Sequence, residues 1–426
     1  MGSVEKKAWI ISVNMGYGHQ RTAFPLRDLA PEGKIINAND YQGIPLSDRR
    51  IWEWSRRFYE FISNFSRIPL IGGQIFSIYN HFQEIFSFYP KKDLSKPNFG
   101  LKQIYYLMKR GWGKHLIEKL QITNNKLQIT LPIVATFFTP AFMAEFFNYP
   151  GEIFCVICDA DISRAWAPLE PSQSRIKYFA SSERVVERLK LYGVKAENIF
   201  LTGYPLPEFL KEDLRRRLLN LDPRGKYREK YKTLVEDKLG GLPDNSGRPL
   251  TIMFSVGGAG AQKEIGVKIL KHLSLKIKSS QVRIILSVGT KEKVREYFEK
   301  SIERLGLKES QNIEIIFGDN IENYFKKFNR VLRETDILWT KPSELSFYTA
   351  LGMPMIISPP IGSQEEFNMR YLIKSGFGLV QESPSYVEQW LFDWLDKGYL
   401  AEAAMQGFIE GEKMGTFNIE KIISLY

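Results

Sequence analysis

Twice along this chain a run of branched apolar residues breaks off into glycine and passes straight into a helical pattern. The two stretches are "AWIISVNMGYGHQ" at 8–20 and "TIMFSVGGAGAQKE" at 251–264. Runs this continuous predict strands buried on both faces, as in parallel sheets. Strand and helix patterns then alternate around each. "KIINAND", "PIVATFF", "EIFCVIC", "IKYFASS" and "NIFLTGYPLP" follow the first; "VRIILSVGT", "NIEIIFGD", "TDILWTK" and "MPMIISPPIG" follow the second. Alternation of this kind defines an α/β architecture. A chain of 426 residues is long for one core. The pattern restarts after a charged stretch ending in "LGGLPDNSGRP". We therefore expect two Rossmann-like domains, 1–210 and 248–385, with a charged linker at 211–247. Terminal helices at 386–426 would strap them together, and an aromatic-rich helical insertion would occupy about 45–125. Facing strand ends would define a crevice, the usual ligand site of such folds.

Composition narrows the classes. Apolar residues make up 44% of the chain, enough for sizeable cores. No run reaches the length of a membrane span, and the N-terminus lacks a secretory pattern, so a cytoplasmic location is expected. Cys155 and Cys158 are the only cysteines, and both lie in an apolar run, which reads as strand core. The net charge of +11 favours anionic partners. No groove-reading helix or RNA-binding signature accompanies it, so nucleic acid is not expected. In "DRRIWEWSRRFYEF", arginines interleave with Trp52, Trp54, Phe58, Tyr59 and Phe61. Such a stripe suits an anionic membrane surface or a helix packed on its own domain.

Several short stretches carry chemistry. Gly16 and Gly18 bracket Tyr17 and lead into His19; Gly257, Gly258 and Gly260 form the second turn. Glycines let backbone amides approach an anion, and a following helix start adds its dipole. A tight strand-to-helix turn would look the same, and the second turn is not a Walker sequence. The asymmetry between them suggests that one serves a reacting hydroxyl and the other a phosphate. His19 is one of four histidines and is a candidate base; His81, His115 and His272 sit in helical segments and read as structural. Asp159 and Asp161 in "CDADISRAW" could orient a histidine or an acceptor, or hold a divalent metal, though their spacing is common. Gln364, Glu365 and Asn368 share one turn after "SPPIG", a set that suits ring hydroxyls or a solvent-facing cap. Lys341, Ser343 and Glu344 stand at another strand-to-helix junction.

Four of these pieces together resemble the GT-B glycosyltransferases, nearest to the monogalactosyldiacylglycerol synthase and processive diacylglycerol glucosyltransferase family, with MurG-type transferases more distant. They are "MGYGHQRTA", the stretch from "CDADISRAW" to "GYPLPEFL", "VGGAG", and "TKPSELSFYTALGMPMIISPPIGSQEEFNMRYL". The likeness spans most of the chain outside roughly 45–130. It implies that 1–210 is an acceptor domain and 248–385 a nucleotide-sugar domain. It further implies that His19 lies near acceptor and donor phosphates, that Gln364 and Glu365 meet the donor sugar with Asn368 beside them, and that the second glycine turn approaches the diphosphate. The chain departs from the family pattern at Phe347, where a ribose-binding glutamate is usual and where Glu344, from the preceding turn, would act in its place, and at Cys158, which replaces a threonine.

The expectation is therefore an inverting sugar transferase acting without a metal or resident cofactor. Its co-substrate would be a nucleotide-diphosphate sugar, UDP-linked by resemblance, and its acceptor a hydroxyl, with lipid among the candidates. A peripheral position on the inner face of a membrane accords with that acceptor. The alternatives are a nucleotide-sugar 2-epimerase or hydrolase on the same scaffold, and a non-catalytic nucleotide-sugar-binding protein.

Overall fold

The computed structural model describes residues 7–65, 85–257 and 260–426. Part of the aromatic block, including His81, and Gly258 lie outside the described residues. The chain divides into two compact units. One comprises Met1–Leu206 with Ile361–Phe367 and Glu412–Tyr426, the other Pro207–Pro360 with Asn368–Gly411.

The first unit is built on six parallel strands: β1 (Trp9–Ser12), β2 (Ile36–Asn37), β3 (Ile133–Ala135), β4 (Ile153–Val156), β5 (Lys177–Ala180) and β6 (Ile199–Leu201). Their spatial order is β2-β1-β3-β4-β5-β6. The apolar runs are buried as expected: Ile10, Val134, Phe154, Val156 and Phe179 share one core. Ile419 and Ile423 of the helix Gly415–Ile423 complete that core, so the chain's last helix belongs to its first sheet. Burying each such side chain is worth about 1.5–3 kcal/mol. Ser182 caps the helix Glu183–Leu191 by accepting from the Val185 N–H at 3.4 Å. The amphipathic stretch at 102–121 forms two helices, Phe99–Lys109 and Lys114–Leu127. Gly111 and Gly113 break it, at φ of 97° and 88°.

The second unit repeats the architecture with β7 (Leu250–Ser255), β8 (Val282–Gly289), β9 (Ile313–Phe317), β10 (Ile337–Thr340), β11 (Met355–Ile357) and β12 (Gly378–Val380). The sheet is parallel throughout, in the order β12-β11-β10-β7-β8-β9. β12 has only three residues and gave no separate apolar run to read.

The charged stretch after residue 210 is helical and contributes to this core. Leu214, Leu218 and Leu221 of the helix Lys211–Leu221 are buried, with Tyr227, Val235 and Leu239 of the two short helices that follow. An i, i+4, i+7 leucine stripe decides packing here, while the charges that dominate the composition occupy the other faces. Arg217 sits inside this packing. Its Nε donates to the Thr335 carbonyl at 2.8 Å and one Nη to the Leu351 carbonyl at 2.8 Å. Burial lowers its pKa to about 10.

Candidate functional site

In an open parallel sheet the natural ligand position lies outside the carboxyl ends of the strands, where the strand order reverses. In the first unit the chain runs from β1 to β2 on one side and then starts β3 on the other, so the reversal falls between β1 and β3. Both strands run into residues that interact there. After β1 the backbone turns at Gly16 (φ 121°) into the helix Tyr17–Ala23. That turn brings His19, half-buried, against Thr136 at the end of β3. His19 Nδ1 lies 2.8 Å from the Thr136 carbonyl oxygen. A carbonyl only accepts, so Nδ1 carries the proton, and in the neutral ring Nε2 is the unprotonated nitrogen. The Thr136 hydroxyl donates back to the His19 carbonyl at 2.9 Å. Phe137 and Trp166 pack on the imidazole at centroid distances of 4.7 and 6.2 Å. The ring is thereby fixed in tautomer and orientation.

Cys158 lies on the same edge, its Sγ 3.4 Å from His19 Nδ1 and 3.9 Å from Asp159 Oδ2. The thiol thus stands between the histidine and Asp159. Asp161 is buried and accepts a bidentate pair from Arg188, Nε to Oδ1 and Nη2 to Oδ2, each 2.8 Å. That pairing commits Asp161 to the fold, which removes the Asp159–Asp161 pair as a metal couple. Among the described residues no cluster of three or more His, Cys, Asp or Glu is placed to hold a metal ion.

In the second unit the chain runs β7, β8, β9 to one side and then places β10 on the other side of β7. The reversal falls between β7 and β10, whose last residues, Ser255 and Thr340, are register partners. Gly257 follows β7 and Lys341 follows β10. The two are in contact: a Cβ built on Gly257 would stand 2.5 Å from Lys341 Cε and 3.4 Å from Nζ. The lysine stem lies across the glycine. Gly260 takes φ +72° and donates to the Gly257 carbonyl at 2.7 Å, closing the turn. The helix Lys263–His272 begins just beyond, and Gln262 before it donates its side-chain amide to the Pro359 carbonyl at 2.8 Å. Lys341, Gly257 and the Gly260 N–H thus stand at one strand-end position, with the helix Lys263–His272 following in the chain.

The remaining candidates are placed as follows. Ser343 caps the 3₁₀ segment Glu344–Leu351, and Glu344 begins it. Phe347 is 4% exposed and packs on Tyr371 at 5.7 Å. Gln364 and Glu365 lie in the first turn of the helix Ser363–Ser375 and are half-buried; Glu365 Oε2 accepts from the Ile361 N–H at 2.8 Å, a capping role. Asn368, one turn on, is 1% exposed. Ile361–Phe367 groups with the first unit and Asn368 with the second. His115 accepts or donates to the Tyr41 hydroxyl at 2.8 Å, as a structural histidine does. Gly18 lies inside the first helix, its carbonyl accepting from the Thr22 hydroxyl at 2.8 Å. Thr136 was not singled out from sequence. Its signal is positional: it follows the strand that neighbours β1, and neighbour relations between strands are not written in local pattern.

An α/β fold of two parallel-sheet, Rossmann-like lobes is the kind found in GT-B proteins. The model of a domain of unknown function (DUF6938) matches residues 243–315. The processive diacylglycerol beta-glucosyltransferase of Bacillus pumilus is 22% identical over 387 residues, covering 89% of this chain and 84% of that protein. The Bacillus subtilis protein of the same name is 21% identical over 388 residues with the same coverage. Among solved structures, Acinetobacter baumannii MurG aligns with a TM-score of 0.45 at 13% identity, covering 73% of this chain and 77% of that one. A Neisseria meningitidis UDP-GlcNAc 2-epimerase bound to UDP-GlcNAc aligns with a TM-score of 0.45 at 15% identity, covering 83% and 87%. The chain is loosely related, at low identity, to the diacylglycerol glucosyltransferases.

Proposed function

We propose that this protein transfers a sugar from a nucleotide-diphosphate sugar to a hydroxyl acceptor, inverting the anomeric centre. The observation that carries the reading is the His19 tautomer: Nδ1 is held by the Thr136 carbonyl at 2.8 Å, which leaves Nε2 to accept a proton at a sheet reversal point. The resemblance to glucosyltransferases along most of the chain supports it. In the proposed reaction the acceptor oxygen attacks the anomeric carbon, its proton passes to His19 Nε2, and the bond from that carbon to the diphosphate oxygen breaks. Asp159 is the second candidate base. Lys341, the Gly257–Gly260 turn and the helix start at Lys263 meet the negative charge on the leaving diphosphate. Positive charge and backbone amides do this work, so the proposal needs no metal. Gln364, Glu365 and Asn368 are assigned to the donor sugar, with Ser343 and Glu344 toward the nucleotide.

Phe347 favours one variation. A buried aromatic ring takes the position where related transferases keep a ribose-binding glutamate, so nucleotide recognition differs from theirs or the chain binds a nucleotide sugar without turning it over. A panel of UDP-, GDP- and TDP-sugars with diacylglycerol and simple glycosides as acceptors decides. A new glycosidic bond of inverted configuration is the expected product. Release of a free C2-epimer would establish the epimerase reading, and binding without turnover of any donor would establish the non-catalytic one.

The lipid acceptor rests on the helix Leu46–Phe65. Trp52 faces inward, 3% exposed, while Trp54 is 65% and Leu46 68% exposed. Leu46, Arg50, Trp54 and Arg57 follow at helical spacing, all exposed. An apolar and cationic row of this kind suits an anionic membrane interface, at about 1 kcal/mol per arginine. No helix among the described residues is long and apolar enough to cross a membrane, so the proposed contact is peripheral. Flotation with anionic liposomes should recover the protein, and Trp54→Ala with Arg50→Glu should abolish recovery. Equal flotation of the variant would refute this contact.

A further inference from the structure

The helix Lys263–His272 opens on a residue used against its ordinary role. Gln262 occupies the N-cap position, where a side chain usually accepts from the first helical turn and the backbone is extended. Here the backbone is left-handed, at φ 64° and ψ 18°, and the side chain makes no capping hydrogen bond. Glycine takes that conformation without strain and glutamine does not. The side chain is committed elsewhere: its amide donates to the Pro359 carbonyl at 2.8 Å. Backbone strain of this kind persists where a surrounding contact holds it in place.

Strand order gives that hydrogen bond its meaning. Gln262 belongs to the turn after β7, and Pro359 to the loop after β11. These strands are not neighbours; β10 lies between them, in the order β11-β10-β7. The bond therefore joins segments whose strands stand two spacings apart, roughly 9–10 Å, and it straddles the carboxyl end of β10, where Lys341 leaves the sheet. At the strand ends themselves the ties run from neighbour to neighbour. The Thr340 hydroxyl donates to the Ser255 carbonyl at 2.9 Å, and the Ser358 N–H donates to the Thr340 carbonyl at 2.9 Å. Gln262 continues this lacing one level further out and skips a strand. Asparagine tolerates a left-handed backbone better, but it is one methylene shorter, and length is what the position uses.

We propose that Gln262 is a positioning residue for a bound nucleoside diphosphate: it fastens the glycine turn after β7 to the loop after β11 and so holds Gly257 and Gly260 in place beside Lys341. The proposal rests on the reading of this strand end as the donor's diphosphate site. A turn built on glycines has many backbone conformations open to it, and ordering it at the moment of binding lowers affinity. A tie made before the ligand arrives removes that cost without touching the ligand.

Two neutral substitutions test this, and neither alters the charge around Lys341. Gln262→Met keeps the length and the left-handed strain but donates nothing. Gln262→Gly removes the tie and the strain together. Calorimetric titration of the full chain with UDP should show each variant binding about 5-fold more weakly than the parent, the scale of one neutral hydrogen bond. Melting temperatures should separate the two, with Gln262→Gly above Gln262→Met, because only the glycine relieves the backbone. Affinity would then follow the tie and not the stability. Parental affinity in Gln262→Gly with a loss only in the less stable Gln262→Met would overturn the proposal and make Gln262 a structural residue. Tighter UDP binding by both variants would overturn it too, since the bond would then obstruct the ligand. Equal UDP affinity in parent and variants removes the role of Gln262 alone. A parent chain that binds no UDP removes that role together with the diphosphate reading on which it rests.

Discussion

The two strand-order reversals are built alike and equipped differently. Each places a glycine turn after the first strand of its sheet and brings it against the residue that follows the strand starting the other side. At the first, a histidine meets a backbone carbonyl; at the second, a lysine lies over a glycine. The glycines are there for opposite reasons. Gly16 has φ 121° and nothing within 4 Å of its missing Cβ, so its role is conformational. Gly257 has no positive φ, and its missing Cβ is the room that the Lys341 stem occupies. One architecture thus yields a hydrogen-bonded imidazole in one unit and a lysine laid over a glycine in the other. The comparison predicts that damage at the first site falls on proton transfer and damage at the second on donor binding.

The largest expected effect tests the first half of that statement. His19→Ala should cut single-turnover sugar transfer by about 100-fold or more, the usual reach of acid–base assistance, equivalent to roughly 2.7 kcal/mol of barrier at 1.36 kcal/mol per decade. Donor affinity by calorimetry should stay within about 2-fold. A variant that turns over at the parental rate would make His19 structural and leave Asp159 as the base. Loss of donor binding instead would move the histidine to the diphosphate and erase the contrast between the sites.

Next in size is Lys341→Met, which keeps the stem and removes the charge. Hydrogen bonds to charged groups contribute about 1.5–3 kcal/mol, so nucleoside diphosphate affinity should fall by about 10-fold or more while the fold persists. Gly257→Ala should imitate it more weakly. The atom it strikes is in a flexible side chain, so the lysine moves aside and stability changes little. Equal diphosphate affinity in all three proteins would remove the cradle from the second site.

Much of this was legible in sequence, for physical reasons that also explain what was not. The continuous apolar runs around Ile10, Phe154, Met253 and Ile284 fixed buried strands, and their alternation with helices fixed the parallel class. The glycine turns could be found because glycine is needed wherever φ turns positive or a neighbour comes close. Strand order is different. The contacts of His19 with Thr136 and of Gly257 with Lys341 depend on which strands lie side by side, over separations of 117 residues in the first case, and no local pattern carries that. Composition also misled at 211–239, where exposed arginines and lysines outnumber the leucines that pack. The likeness of Asp159 and Asp161 was deceptive in the same way: only the fold reveals that Arg188 takes one of them.

Gly16→Ala separates the two uses of glycine and should cost stability where Gly257→Ala does not. Holding a non-glycine residue in a disfavoured φ costs on the order of 1–3 kcal/mol. Nothing crowds the new methyl, so the penalty is backbone strain alone. Thermal unfolding should register a loss for this variant and almost none for Gly257→Ala. Similar melting temperatures would mean that the first turn relaxes, and then its transfer rate should fall with the displacement of His19.

The smallest effect belongs to Cys158→Ser. The thiol lies 3.4 Å from His19 Nδ1, which already donates to Thr136 at 2.8 Å, so sulfur is the minor acceptor of a shared proton. Sulfur is a weak hydrogen-bond acceptor and a hydroxyl a stronger one, but serine's shorter bond sets its oxygen farther from the ring. The two changes oppose each other. Transfer should therefore change by no more than about 3-fold, well under one decade of the 1.36 kcal/mol scale, with donor affinity untouched. The pH profile of the chemical step is the sharper readout, because it follows the ionisation of the imidazole rather than the amount of folded protein. A profile displaced by more than one pH unit would show that Cys158 governs the basicity of His19, and the first site would then rest on a thiol as much as on the Thr136 carbonyl.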